Sequence, residues 1–283
     1  MRTIGTVVRG VRAPIFQAGD DLAKEVCKAV MAASKEAQAP LRDRDVIAVT
    51  ESVVARTQGN YATLEQIAAD VRAKIPAGAD GKRTAAVVFP ILSRNRFSML
   101  LKGISMGVDK LYIVLKYPSD EVGNELISLD RLEEKGVDPY RDVLTEAKYR
   151  ELFGENVLHP FTGMDYVKLY REYARNSEIL LANDARAVLP YAQDVIACDI
   201  HTRARTVRLL KEAGARTALT LADLLNAPVD GSGYNPDFGL YGSNLATENS
   251  VKLFPRDCEK FVEKLAGMLR AESGKQVEVM VYG

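Results

Sequence analysis

Short apolar runs alternate with amphipathic stretches along most of this chain. Leu22, Val26, Val30 and Ala33 recur at helical spacing, so the segment opening at Gly19 predicts a helix with one buried stripe. Asp20 is placed to cap it and Asp21 to favour its first turn. Residues 46–50 form a short apolar run ending in Thr, the pattern of a strand buried on both faces. A second helix is predicted over 64–74, stopping before Pro76. Residues 3–9 read as an edge strand.

Beyond the basic, glycine-bearing segment 77–84 the pattern becomes strand and helix in alternation. Strands are predicted at 85–89, 111–115, 195–200, 251–255 and 277–282. Helices are predicted from Ser93 to about 102, over 145–153, over 165–176, over 201–213, at 221–226 and over 257–269. Tyr166, Leu169, Tyr170 and Tyr173 share one side of the helix predicted over 165–176. Residues 119–165 are otherwise polar and irregular. The fold class expected is α/β: a mixed sheet with flanking helices, and an inserted α/β subdomain.

Composition narrows the class. At 283 residues and 47% apolar content the chain can fill a sizeable core. Basic and acidic residues both number 38, so no net field recruits nucleic acid or an acidic membrane. The apolar runs are too short to span a bilayer, and no leader peptide is legible at the start. Cys27, Cys198 and Cys258 lack CxxC spacing, which argues against a zinc site or disulfide framework and fits a reducing cytoplasm. The two histidines, His159 and His201, stand too far apart to suggest zinc.

The candidate chemistry starts at a glycine-rich loop, residues 231–246, with Ser243 and Asn244 as polar side chains. Such loops let backbone amides approach a phosphate, though a plain surface connection has the same composition. Two nucleotide signatures are missing. Gly81-Lys82 has Pro76 where a P-loop needs glycine, and Gly231-Ser-Gly continues as Tyr-Asn-Pro, which is no GxGxxG.

Val8-Arg-Gly-Val-Arg-Ala-Pro-Ile-Phe, Asp45-Val-Ile-Ala-Val-Thr-Glu-Ser-Val-Val-Ala-Arg-Thr-Gln-Gly and Gly239-Leu-Tyr-Gly-Ser-Asn with Leu253-Phe-Pro-Arg-Asp occur in that order. Together they resemble the coenzyme F420-0:L-glutamate ligase (gamma-glutamyl ligase) family, over roughly 6–60 and 237–283. The resemblance implies a ligase-like domain from 1–80 and 229–283, interrupted by an inserted subdomain over 81–228. It further implies that L-glutamate is joined to a carboxylate acceptor through an acyl phosphate, with GTP as co-substrate and Mg²⁺ or Mn²⁺ on the phosphates. Phosphorylation makes chemical sense, because a bare carboxylate is a poor electrophile. A cytoplasmic homodimer is the family expectation.

By the same resemblance Pro14, Ile15, Ser52, Arg56 and Asn244 fall on nucleotide-contacting positions. A proline bend, a helix-start hydroxyl, a solvated arginine and a turn asparagine are the alternatives. Tyr241 stands where the family places a metal-binding Asp, and a neutral phenol is a poor Mg²⁺ ligand. Asp237 could substitute, or could merely cap a turn. The family's acidic metal pair follows the strand that 277–282 resembles, so the chain is expected to continue past Gly283 with Asp or Glu. Asp199, His201 and Arg203 sit at a strand-to-helix junction and are candidates for gripping an anionic substrate. A helix cap with solvated arginines explains them as well. Ser93-Arg-Asn-Arg is either an anion clamp or one charged helix face, and His159 reads as a structural donor. A folate-type acceptor and a non-catalytic nucleotide- or metabolite-binding relative are the other functional readings.

Overall fold

Asp21, not Asp20, caps the first helix: its carboxylate accepts the Lys24 amide at 3.3 Å. Asp20 turns back instead to accept the Gln17 amide. The computed structural model describes every residue except Met1, Arg2 and Ile4. Residues 3 and 5–9 form no strand and are exposed, because no neighbouring strand supplies their amides with a ladder.

The chain divides into two units, Met1–Asn60 with Phe254–Gly283, and Tyr61–Leu253. The first begins with α1 (Leu22–Glu36), β1 (Val46–Thr50) and α2 (Glu51–Thr57). Thr50 ends the strand and caps the helix that follows it at once, accepting from the Ser52 amide.

The second unit opens with β2 (Tyr61–Thr63) and α3 (Leu64–Lys74), joined by a capping box between Thr63 and Gln66. Then come β3 (Thr84–Val88), α4 (Phe97–Met106), β4 (Lys110–Leu115), α5 (Leu129–Glu134), β5 (Leu144–Thr145), α6 (Glu146–Phe153), α7 (Tyr166–Tyr173) and β6 (Ser177–Leu181). The unit continues through β7 (Asp194–Ala197), α8 (Arg203–Glu212), β8 (Thr217–Thr220), β9 (Asn244–Thr247) and β10 (Ser250–Lys252). The chain then returns to the first unit with α9 (Cys258–Ser273) and β11 (Glu278–Tyr282).

Helix α4 starts four residues after Ser93, whose hydroxyl accepts the Arg96 amide in the preceding turn. The helix expected at 221–226 is a single 3-10 turn, Leu221–Asp223, and α9 outruns its predicted end to reach Ser273. Three strands outside the predicted set, β5, β6 and β8, complete the main sheet.

That sheet runs β5-β6-β4-β3-β7-β8, with every pair parallel except β5 on β6. Taken in chain order, its parallel strands lie 3-2-1-4-5, the doubly wound arrangement. The two-residue period of each strand feeds two separate cores. Ala85, Val87, Leu111, Ile113, Ile179 and Ile196 face one layer, with α3, α4 and α7. Ala86, Val88, Val114, Leu180 and Val195 face the other, with Leu210 of α8. Beside this sheet β2, β10 and β9 form a small antiparallel one.

In the first unit β1 and β11 pair in parallel, Val46 opposite Glu278 through Thr50 opposite Tyr282. Ile47, Val49, Val279 and Val281 pack with Val26, Val30, Leu265 and Leu269 of α1 and α9. Gln58 clamps the returning chain, donating to the Arg256 carbonyl at 2.5 Å and accepting its amide at 2.8 Å.

Helices α3 and α4 meet closely. A Cβ added at Gly103 would stand 2.9 Å from Ile67, and one at Gly107 2.7 Å from Val71 and 2.9 Å from the Ala68 carbonyl oxygen. Only glycine fits without parting the helices. Gly107→Ala is expected to cost about 1–3 kcal/mol by overpacking, read as a lower Tm in thermal denaturation. An unchanged Tm would show that the helices separate freely.

Candidate functional site

The candidate site lies in the second unit, where the parallel strands end. In a doubly wound sheet the loops leaving the first and fourth strands part in opposite directions and open a crevice at their carboxyl ends. Here those strands are β3 and β7, adjacent and in register from Ala86 opposite Val195 to Val88 opposite Ala197.

After β7 the chain runs Cys198-Asp199-Ile200-His201-Thr202 into α8. Asp199 is 2% exposed. Its Oδ2 accepts from the Thr202 hydroxyl at 2.6 Å and the Thr206 hydroxyl at 3.2 Å. Its Oδ1 is buried without any hydrogen-bond partner. Asp199 is therefore no N-cap; Thr202 holds that position without a side-chain cap bond. Arg203 donates to the Ile200 carbonyl and lays its guanidinium 4.8 Å over the Tyr241 ring. His201 is exposed.

The glycine-rich loop docks on this junction through Tyr241. Its hydroxyl faces the carbonyl oxygens of Ala197 at 3.2 Å and Asp199 at 3.0 Å, and its one proton serves both. Burial pushes the phenol far above its ordinary range, so it stays a donor. Gly239 makes the approach possible. Its φ is +51°, and an added Cβ would lie 2.6 Å from the carbonyl oxygens of Leu221 and Ala222 and nearer still to that of Leu224.

The loop is not an open phosphate cradle. The amides of Gly233, Asn235, Gly239, Leu240, Tyr241 and Ser243 each donate to a backbone carbonyl, and those of Asp237 and Phe238 to the Asn235 side chain. Asp237 itself is exposed at this turn. The Asn244 side chain donates to the Gly242 carbonyl at 3.3 Å. Ser243 Oγ, 1% exposed, has no partner.

The turn after β3 is pinned as well. Tyr170 donates to the Ile91 carbonyl at 2.5 Å and accepts the Ser93 amide at 3.0 Å. Glu121, beyond β4, accepts the Leu92 amide at 3.0 Å. Desolvation, with Asp120 nearby as the charge that adds to it, pushes the Glu121 carboxyl up to about 7. Phe89 holds φ at +57° where β3 ends, a costly conformation for an aromatic residue. Pattern reading missed Glu121 because it lies in a stretch without periodicity. Tyr170 was visible only as part of an aromatic stripe.

The remaining predicted residues belong to the first unit. Pro14 and Ile15 are exposed in an irregular segment, Ile15 at 84%. Ser52 lies in the first turn of α2 and Arg56, exposed, in its last. The amide of Gly19 donates to the Thr57 carbonyl at 2.8 Å, so the early segment and the end of α2 are neighbours. The structure groups Asp199, Arg203 and Tyr241 at one junction, with Asp237 and Asn244 elsewhere on the same loop. His159 is buried and structural: Nδ1 accepts the Phe161 and Thr162 amides, leaving Nε2 to donate to Asp120 at 3.3 Å. Of the exposed Arg94-Asn95-Arg96, the Asn95 carbonyl is taken by the Leu245 amide at 2.9 Å.

No group of three His, Cys, Asp or Glu is gathered for a metal ion among the described residues. Asp237 does not have the companions a divalent cation requires, so the described side chains do not form a protein cage for one. Among those residues no helix is long and apolar enough to cross a membrane.

The structure is that of an α/β protein in which polar groups meet where the parallel strands of the second unit end. The chain belongs to the F420-0:gamma-glutamyl ligase family, whose model matches residues 10–282. It is accordingly a ligase. No curated protein and no solved structure matches the chain.

Glu121 yields a pH test. Its folded-state value lies above the ordinary 4.5, so its contribution to stability is full below about 4.5 and is lost as pH rises to about 7. Glu121→Gln removes the titration. In urea denaturation the variant should gain on the wild type between pH 5 and pH 8, by up to about 3 kcal/mol. A difference that stays constant with pH would contradict the shift.

Proposed function

We propose that this ligase forms an amide between the amine of L-glutamate and a carboxylate on its acceptor, coenzyme F420-0, and that GTP drives the reaction. The observation that carries the proposal is the family match through residues 10–282, which takes in both the early segment and the glycine-rich loop. An acceptor carboxylate oxygen attacks the γ-phosphorus of GTP, GDP leaves, and an acyl phosphate results. The glutamate amine then attacks the acyl carbon, phosphate departs with the bonding pair, and the surplus amine proton passes to a base or to water.

In this reading Arg56, exposed at the end of α2, supplies charge to the phosphates, and Pro14, Ile15 and Ser52 form the neighbouring contact surface. Asn244, in the second unit, is a separate contact candidate of this reading, with its side-chain carbonyl as an acceptor and its side-chain amide donating to the Gly242 carbonyl. Mg²⁺ or Mn²⁺ would offset charge on the phosphates, although the described residues do not gather a ligand set for it. The free thiols of Cys27, Cys198 and Cys258 support a reducing cytoplasm. A homodimer is proposed on family grounds.

The test is mass spectrometry after incubation with L-glutamate, GTP or ATP, and F420-0 or folate-type acceptors. The expected result is a gain of one glutamyl unit on F420-0 with GTP, abolished by EDTA and restored by Mg²⁺ or Mn²⁺. Calorimetric binding of GTP without product from any acceptor would make the chain a nucleotide binder instead. In the same assay Arg56→Ala should raise the KM for GTP about tenfold or more, as expected for loss of a charge-assisted contact. An unchanged KM would remove Arg56 from the site.

A further inference from the structure

The Asp199 carboxylate is an unusual thing to bury. Two threonine hydroxyls satisfy Oδ2, while Oδ1 has no donor at all. An unpaired acceptor on a charged group is costly when removed from water, and natural structures rarely leave one without a reason. Its position adds the reason: it follows the fourth parallel strand, at the junction where doubly wound sheets take their ligands.

The surroundings select what could complete it. A phosphate group is a poor fit, because the Leu92 and Ser93 amides after β3 are already spent on Glu121 and Tyr170. Phe89 and Pro90 stand where a glycine turn would admit a pyrophosphate. A guanine edge would require both oxygens of the carboxylate, and Oδ2 is occupied. A metal ion lacks its companions among the described residues. An ammonium group needs only one oxygen and neutralises the charge. Arg203, stacked on Tyr241 and donating one N–H to the Ile200 carbonyl, keeps donors for an anionic group.

We propose that Asp199 and Arg203 form an amino-acid subsite, Asp199 Oδ1 taking the α-ammonium and Arg203 a carboxylate of L-glutamate. The assignment rests on the glutamate-ligase reading for the identity of the amino acid. Because Oδ1 is shielded in this conformation, binding includes a local side-chain rearrangement. The pairing also holds the nitrogen that becomes the nucleophile, so Asp199 orients the amine before it loses its proton.

The test is calorimetry on the full chain with L-glutamate and with glutarate, which lacks the amine, each alone and with a non-hydrolysable GTP analogue. Wild type should bind glutamate more tightly than glutarate. Asp199→Asn should weaken glutamate about tenfold or more while leaving glutarate unchanged. Arg203→Ala, at a half-buried surface position, should weaken both and serves if the first variant fails to fold, as judged by circular dichroism. Equal glutamate affinity in wild type and either folded variant overturns the proposal. So does glutarate binding as tightly as glutamate, or no glutamate binding by wild type with or without the analogue. Failure of the ligase reading shows separately, as wild type that binds glutamate yet adds no glutamyl unit to any acceptor.

Discussion

The second unit depends on one docking contact, the seat of the glycine-rich loop on the end of β7. Tyr241 offers a single hydroxyl proton to two carbonyl oxygens that the strand leaves behind as it turns toward α8. A buried hydrogen bond of this kind contributes about 1 kcal/mol net, but leaving the carbonyls unmet would cost more. The contact exists only because Gly239 brings the loop within reach of the carbonyls of residues 221, 222 and 224. Any side chain there would lift the loop and take the Tyr241 hydroxyl off the strand end. Tyr241 therefore shapes the junction rather than acting as a ligand, and its ring forms the platform for Arg203.

The same economy explains where the chemistry can come from. Glycine-rich loops near strand ends usually suggest free amides, and the loop after β3 would normally add more. In this chain both are committed within the protein, the first to its own turns and to the carbonyls of Tyr61, Leu221 and Leu225, the second to Tyr170 and Glu121. With those backbone donors used up, recognition at the sheet's carboxyl edge falls to side chains. Such an edge suits a small ligand gripped at its charged ends better than a polyphosphate threaded along the backbone.

Much of the fold was legible because burial writes itself into the sequence. Residues 111–115 and 195–197 are apolar throughout, and only a strand covered on both faces tolerates that. Helix α3 ran over its predicted residues because Thr63 and Gln66 announce it and Pro76 ends it. The parallel strands that were missed have a physical excuse. Ser177-Glu178 opens β6 with polar residues, and β8 is only half-buried along its length, so neither carries the apolar run that marks a central strand. Without them the 3-2-1-4-5 order could not be seen. At the site, Asp199 and Arg203 were legible as a strand-to-helix junction. What they do there was not, since an orphaned oxygen is a property of packing and leaves no trace in residue type.

Two carboxylates near one sheet edge show how far environment outweighs identity. Glu121 accepts a backbone amide yet is desolvated enough to hold its proton toward neutral pH, so it contributes most to stability when uncharged. Asp199 is buried more deeply, but two hydroxyls stabilise one of its oxygens while the other faces no donor. The first needs nothing further to be at rest near neutrality; a proton suffices. The second keeps one oxygen without a hydrogen-bond donor despite its burial. Sequence alone places an acidic residue after each of two strands, and packing alone decides that only one of them is left wanting a partner.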